Sequence, residues 1–207
     1  MEAVLGVDGV QLAGSLDLPG RGCSTVVFAH GSGSSRLSPR NQLVADSMRK
    51  AGFGTLLFDL LTSEEDWSFQ GRFDFDLLTR RLVGASRWLL SKMDENVSLG
   101  IFGASTGAAA ALRASIECEG VRAIVSRGGR PDLVRDSLEK LRVPTLLIVG
   151  DRDEEVLGLN RFAIGRMTAC GAKELAIVRG ASHLFEEAGK LEEVSRLATG
   201  WFRRFLV

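Results

Sequence analysis

The chain has 207 residues, 45% hydrophobic and 25% charged, which suits one globular domain whose core needs neither disulfide nor metal. Lys plus Arg numbers 26 and Asp plus Glu also 26, so no basic or acidic bias points to nucleic acid or to a charged tail. Cys23, Cys118 and Cys170 are odd in number and widely spaced, which argues against a disulfide framework or a zinc site and suits a reducing, cytoplasmic setting.

The opening stretch MEAVLGVDG has no basic segment followed by a long apolar one, so no secretory leader is expected. No run of about 18 apolar residues is present, so no membrane span is expected. The sequence AVLGVDGVQLAGSLDLPG reads as two strands joined at Asp8-Gly9, a hairpin signal. Residues 25–29 form the first of a series of short runs, apolar on both faces, that suit buried parallel strands. HGSGSS follows that run. A second run at 54–58 leads into DLLTSEED. Phe75, Leu78, Leu82, Ala85 and Leu89 then recur at three or four residues and predict a helix laid on the sheet. The acidic clusters SEEDW and FDFDLL before it lack a histidine nearby and read as solvated helix starts rather than metal ligands.

A run at 97–102 ends in GASTG, followed by Ala108 to Ala111. The run at 121–125 ends in SRGGRPD, and only one helix fits before the run at 145–149, so no large cap domain is expected. GDRDEEV follows that run, and Leu159, Ala163, Ile164 and Met167 mark the next helix. The last run, 175–178, is followed by RGASHLF and by a helix carrying Leu191, Val194, Leu197, Ala198, Trp201, Phe202 and Phe205. Antiparallel strands followed by repeated β-α units predict a doubly wound, mostly parallel α/β sheet in one domain, residues 1–207.

Ligands of such sheets bind at the carboxyl ends of the strands, so the loops named above converge on one face. Gly103-Ala104-Ser105-Thr106-Gly107 fits G-x-S-x-G between a strand and a helix, a turn that exposes a strained serine hydroxyl. The competing reading is a glycine turn with Ser105 as an ordinary helix cap. A serine hydroxyl needs a base, and the chain has two histidines, His30 and His183. The order nucleophile, acid, histidine selects His183 and leaves His30 to hold its own loop. The acid comes from GDRDEEV: Asp153 is favoured, with Asp151 the alternative and a helix-capping role the bland reading of Asp153. HGSGSS lacks the lysine of a phosphate loop, so nucleotide binding is not expected.

These motifs, HGSGSS, GASTG, GDRDEEV and GASHLF in that order, resemble the α/β-hydrolases, in particular the small dienelactone hydrolase-like family, over essentially the whole chain. The resemblance implies an acid in the G-x-x-D position, here Asp153. It also implies an oxyanion hole from the main-chain amides of Ser32, or Gly33, and Thr106. Dienelactone hydrolase proper has cysteine where this chain has Ser105, so its particular substrate does not transfer. The implied function is hydrolysis of a small ester, thioester or lactone through an acyl-enzyme on Ser105, without metal or cofactor. The alternatives are an acyltransferase and a non-catalytic ligand-binding or scaffold protein. The expected partner is a small acyl substrate, with oligomeric state open. Arg127 and Arg130 should lie near the catalytic face. Either could hold a substrate carboxylate, although pairing of Arg127 with Asp59, Asp132 or Asp153 is the favoured reading.

Overall fold

The computed structural model describes residues 1–94 and 97–207. The chain begins with a hairpin of β1 (Glu2–Val7) and β2 (Val10–Asp17), paired from Glu2–Ser15 to Val7–Val10. Asp8 and Gly9 both have positive φ, 51° and 78°, the twist that a two-residue hairpin turn requires. The parallel strands follow: β3 (Thr25–Ala29), β4 (Gly54–Phe58), β5 (Leu99–Ala104), β6 (Val121–Arg127), β7 (Thr145–Gly150) and β8 (Lys173–Val178). They form one eight-stranded sheet in the order β1-β2-β4-β3-β5-β6-β7-β8, with β2 antiparallel to β4. This is the expected mostly parallel sheet with antiparallel N-terminal strands. The strand expected at 97–102 is shifted to Leu99–Ala104, and β6 and β8 each extend two residues beyond the apolar runs that mark them. Ladder hydrogen bonds continue past the apolar positions, so hydropathy alone understates these strands.

Helices cover both faces. α1 (Pro39–Lys50) and α7 (Lys190–Leu206) pack on one face over Phe28, Phe102, Val125 and Ile148. α4 (Phe75–Leu90), α5 (Thr106–Glu117) and α6 (Glu154–Arg166) lie on the other, over Val27, Ile101, Ile124 and Leu147. Adjacent strand residues therefore go to opposite cores, which explains why the runs are apolar on both faces. Two short helices, α2 (Ser63–Trp67) and α3 (Phe69–Arg72), precede α4. The acidic clusters act as helix starts: Thr62 and Glu65 form a capping box, and Asp74 caps α4 through the Leu77 amide. The space between β6 and β7 holds one 3₁₀ segment, Pro131–Lys140, kinked at Val134.

Strand order reverses at β3, whose neighbours are β4 on one side and β5 on the other. The loops after β3 and β5 leave the sheet there, at the point where open α/β sheets present a crevice.

Candidate active site

Ser105 stands between β5 and α5 at φ 51° and ψ −117°, a region that a residue with a Cβ enters only under constraint. Two glycines supply the space for this turn. A Cβ at Gly103 would lie 2.5 Å from the Cα of Ala108, and one at Gly107 would overlap the carbonyl oxygens of Ala29 and His30. Because those atoms are backbone of packed elements, Gly107→Ala is expected to lower unfolding free energy by about 1–3 kcal/mol through overpacking. Urea denaturation checks this, and an unchanged midpoint would refute it. Ser105 makes no side-chain cap to its helix, so the ordinary capping role does not apply.

The hydroxyl meets His183 instead. Nε2 of His183 lies 3.3 Å from Ser105 Oγ, and Nδ1 lies 2.6 Å from Asp153 Oδ2. An ionised carboxylate only accepts, so Nδ1 carries the proton and Nε2 is left to accept from the Ser105 hydroxyl. Asp153 occupies the residue before α6 but does not cap it; its carboxylate, 15% exposed, is turned to the imidazole. Asp151 is committed elsewhere, its Oδ1 accepting the Gly180 amide at 2.6 Å. Between the two acids of the G-D-R-D turn, the structure brings Asp153 to the histidine and Asp151 to the loop that carries it.

That loop is held from several sides. Both oxygens of Glu187 accept the Ser182 amide, at 3.0 and 3.1 Å. Backbone hydrogen bonds, from its own amide first and then from Ser182, hold the Glu187 carboxyl below the usual range. Gly128, at φ 54°, lets the turn after β6 come close, since a Cβ there would sit 3.3 Å from His183 Cε1. Glu187 escaped the sequence reading, in which no motif marks it.

Of the two expected oxyanion donors, one amide has an internal partner in this structure. The Ser32 amide is not free: it donates to Thr106 Oγ1 at 2.8 Å. Thr106 itself begins α5, where the first amides have no partner within the helix. A slot of about 10 Å³ lies beside this pair, lined by His30, Gly31, Leu60, Asp66 and Thr106. A surface cavity of about 520 Å³ between α1 and α7 is lined by none of Ser105, His183 or Asp153.

His30 holds the loop after β3. Its Nδ1 donates to Gly31 O at 2.9 Å and its Nε2 accepts the Leu60 amide at 3.0 Å, a pattern open only to the neutral ring. Burial pushes its pKa down, against the opposing hydrogen bond to Gly31. With the folded value depressed, the stability that neutral His30 contributes is full above the ordinary histidine value of about 6.5. It is lost as pH falls through the folded value. Melting temperature is accordingly expected to fall between about pH 7.5 and 5.5 by more in the parent chain than in His30→Gln, measured by circular dichroism. Equal falls would remove His30 from the account.

Arg127 ends β6, and its carbonyl accepts the Ser105 amide at 3.0 Å. Its expected partners are all taken. Asp59 accepts from Arg36, through the amide at 2.7 Å and Nη1 at 3.1 Å. Asp132 receives Arg130 in a two-pronged pair of 2.9 and 2.8 Å. Asp153 holds His183. Arg127 is buried, 7% exposed, and its Nε and Nη1 have no hydrogen-bond partner among the described residues. Burial first, and then the charge of Arg40, push its guanidinium down to about 10, so it remains a cation at neutral pH. The favoured pairing of Arg127 with a local acid is thus overturned, because nearer cations and the imidazole claim each carboxylate.

Among the described residues no group of three or more His, Cys, Asp or Glu side chains is placed to hold a metal ion, and no helix is long and apolar enough to cross a membrane.

A serine at positive φ on a strand-to-helix turn, at the reversal point of a mostly parallel sheet with an antiparallel start, defines the α/β-hydrolase class. A family model described as "Alpha/beta hydrolase domain" matches residues 22–196, and the chain belongs to that family. Within it the likeness is to the dienelactone hydrolase-like members. A dienelactone hydrolase from Anabaena variabilis is 45% identical, with a TM-score of 0.92 over 100% of this chain and 98% of that one. The esterase Est1E from Butyrivibrio proteoclasticus, 16% identical with a TM-score of 0.81 over 98% of each chain, shares the fold. Proteins from two strains of Mycobacterium tuberculosis, each named "Putative phosphoribosyl transferase", are 52% identical over 195 residues. That match covers 93% of this chain, which spans only 44% of the length of those relatives.

Proposed function

We propose that the protein is a serine hydrolase that cleaves a small ester, thioester or lactone by way of an acyl-enzyme on Ser105. The observation that carries this reading is the continuous chain from Asp153 through His183 to Ser105, at 2.6 and 3.3 Å. Ser105 Oγ attacks the acyl carbon while its proton passes to His183 Nε2, and Asp153 stabilises the imidazolium that forms. The oxyanion accepts hydrogen bonds from the amides of Thr106 and Ser32. Thr106 Oγ1 occupies the acceptor position at Ser32 in the resting enzyme, and the oxyanion replaces it there as the threonine turns about χ1. Collapse of the tetrahedral adduct breaks the bond to the leaving oxygen or sulfur, which takes the proton from His183. Water then attacks the acyl-enzyme, with His183 again taking a proton, and the carboxylic acid departs.

The 45% identical relative is a dienelactone hydrolase, which supports the ester or lactone class. The transferase name belongs to proteins of which this chain spans 44%, and the matched portion is the hydrolase fold. Three free thiols, two of them buried, support a reducing, cytoplasmic setting.

A fluorophosphonate probe followed by peptide mapping tests the reading. Modification at Ser105 is expected, whereas modification at Ser32 or Ser182, or none at all, would overturn it. Partition of the acyl group between water and an added alcohol separates hydrolase from acyltransferase.

A further inference from the structure

The 520 Å³ groove between α1 and α7 has a charge pattern that the fold does not require. Three of its side chains are cations: Lys50 from the last turn of α1, and Arg196 and Arg203 from α7. The two arginines are seven residues apart, which puts them on one side of the helix, about 10 Å apart along its axis. None of the three cations forms a salt bridge among the described residues. Nearby acids are engaged elsewhere, Asp46 by Arg49 and Glu193 by Lys190. Glu192 is the one carboxylate on the groove wall. In a chain whose 26 cationic and 26 acidic side chains balance, this wall therefore holds two positive charges in excess. Lys50 and Arg203 also suit the negative ends of their helices, but Arg196 lies in mid-helix, where the helix dipole gives it no such role.

The groove also has room and a free donor. Gly200, between the two arginines, leaves the floor bare, since a Cβ there would meet nothing within 4 Å. A second cavity of about 230 Å³ shares Arg196 and Gly200 with the first, so the space continues across α7. Thr199 stands on the same wall, and its hydroxyl has no hydrogen-bond partner among the described residues. No internal acceptor holds that proton.

We propose that this groove binds a small phosphate monoester, at a site separate from the one at Ser105. The inference does not depend on the hydrolase reading. A phosphate monoester carries about 1.5 to 2 negative charges at neutral pH, which balances the excess on the wall. Its three terminal oxygens give each of the three cations an acceptor. A carboxylate brings one charge and two oxygens, and so leaves a cation unmet. The organic part of the ester has space over Gly200 toward the second cavity.

Isothermal titration of the whole chain with glycerol 3-phosphate at fixed ionic strength tests the proposal. Saturable binding at one site is expected, with no binding of glycerol or acetate. Arg196→Gln and Arg203→Gln should each weaken it by about tenfold, as for loss of one charged hydrogen bond, while Arg161→Gln on α6 leaves it unchanged. Gly200→Ala should also weaken binding, because a methyl rises from the floor. Its melting temperature should hold or rise, since alanine is the better helix former. No saturable binding, equal binding of acetate, or binding that survives both arginine variants would overturn the proposal. If either arginine variant fails to fold, Lys50→Gln and Gly200→Ala decide by the same criterion. Attachment to phosphatidic acid vesicles without binding of glycerol 3-phosphate would replace the small molecule by a membrane surface and so refute it.

Discussion

Ser105→Ala is expected to fold as the parent chain does and to lose about four to six powers of ten in turnover, as other enzymes do on losing a serine nucleophile. The substitution removes the attacking oxygen and the proton that His183 accepts at 3.3 Å, and it leaves the main-chain amides of the turn in place. Residual rate then reflects direct attack by water on a substrate that the amides still polarise. Alanine keeps the Cβ and hence the strain of φ 51°. Ser105→Gly removes it, and unfolding free energy should rise by about 1 kcal/mol, the net of roughly 1–3 kcal/mol of strain and 0.5–1 kcal/mol of glycine entropy. Urea denaturation beside an ester assay measures both effects. A Ser105→Ala chain within tenfold of the parent's turnover would sink the nucleophile assignment.

Asp153→Asn is expected to cost roughly four powers of ten in turnover if the serine protease precedent holds. The parent carboxylate accepts from Nδ1 at 2.6 Å and so leaves Nε2 unprotonated toward Ser105. An asparagine that donates its amide to Nδ1 reverses the tautomer, putting a proton on Nε2 where a lone pair is needed. Asp151→Asn should act differently. Its partner is the Gly180 amide, which a carbonyl oxygen of asparagine still accepts, so turnover should fall far less. A larger loss in Asp151→Asn than in Asp153→Asn would reverse the assignment of the acid.

The elements that the sequence states most clearly are those with a strong local signal. The hairpin turn follows from Asp8-Gly9, where positive φ is required, and the parallel strands follow from runs that are apolar at consecutive positions. α1 is weakly marked in the sequence, although Ser38 before Pro39 is a start signal and Ser38 caps the Asn41 amide. Its buried side, Val44, Ala45 and Met48, is narrow and interrupted by polar residues, so the apolar stripe is weak. In the site, Ser105 and His183 could be singled out because one sits in a five-residue motif and the other is one of only two histidines. The laboratory variants above test the roles given to them.

The sequence by itself determined what depends on near neighbours in the chain: the strand and helix periods, the glycine-framed turn at Ser105 and the order of the loops along one sheet edge. Tertiary structure alone decided which acid reaches which partner. Asp151 and Asp153 are two residues apart with the same chemistry, and only the path of the His183 loop sends one to Gly180 and the other to the imidazole. It likewise decided that Arg127 has none of its expected acids, since Arg36, Arg130 and His183 hold Asp59, Asp132 and Asp153. It also turned the Ser32 amide onto Thr106, which lies 74 residues further along the chain. The physical reason is one of range and competition. Backbone pattern is set within a few residues, but charges and hydrogen-bond donors choose among all the partners that folding brings within about 3 Å, and that choice has no local signature.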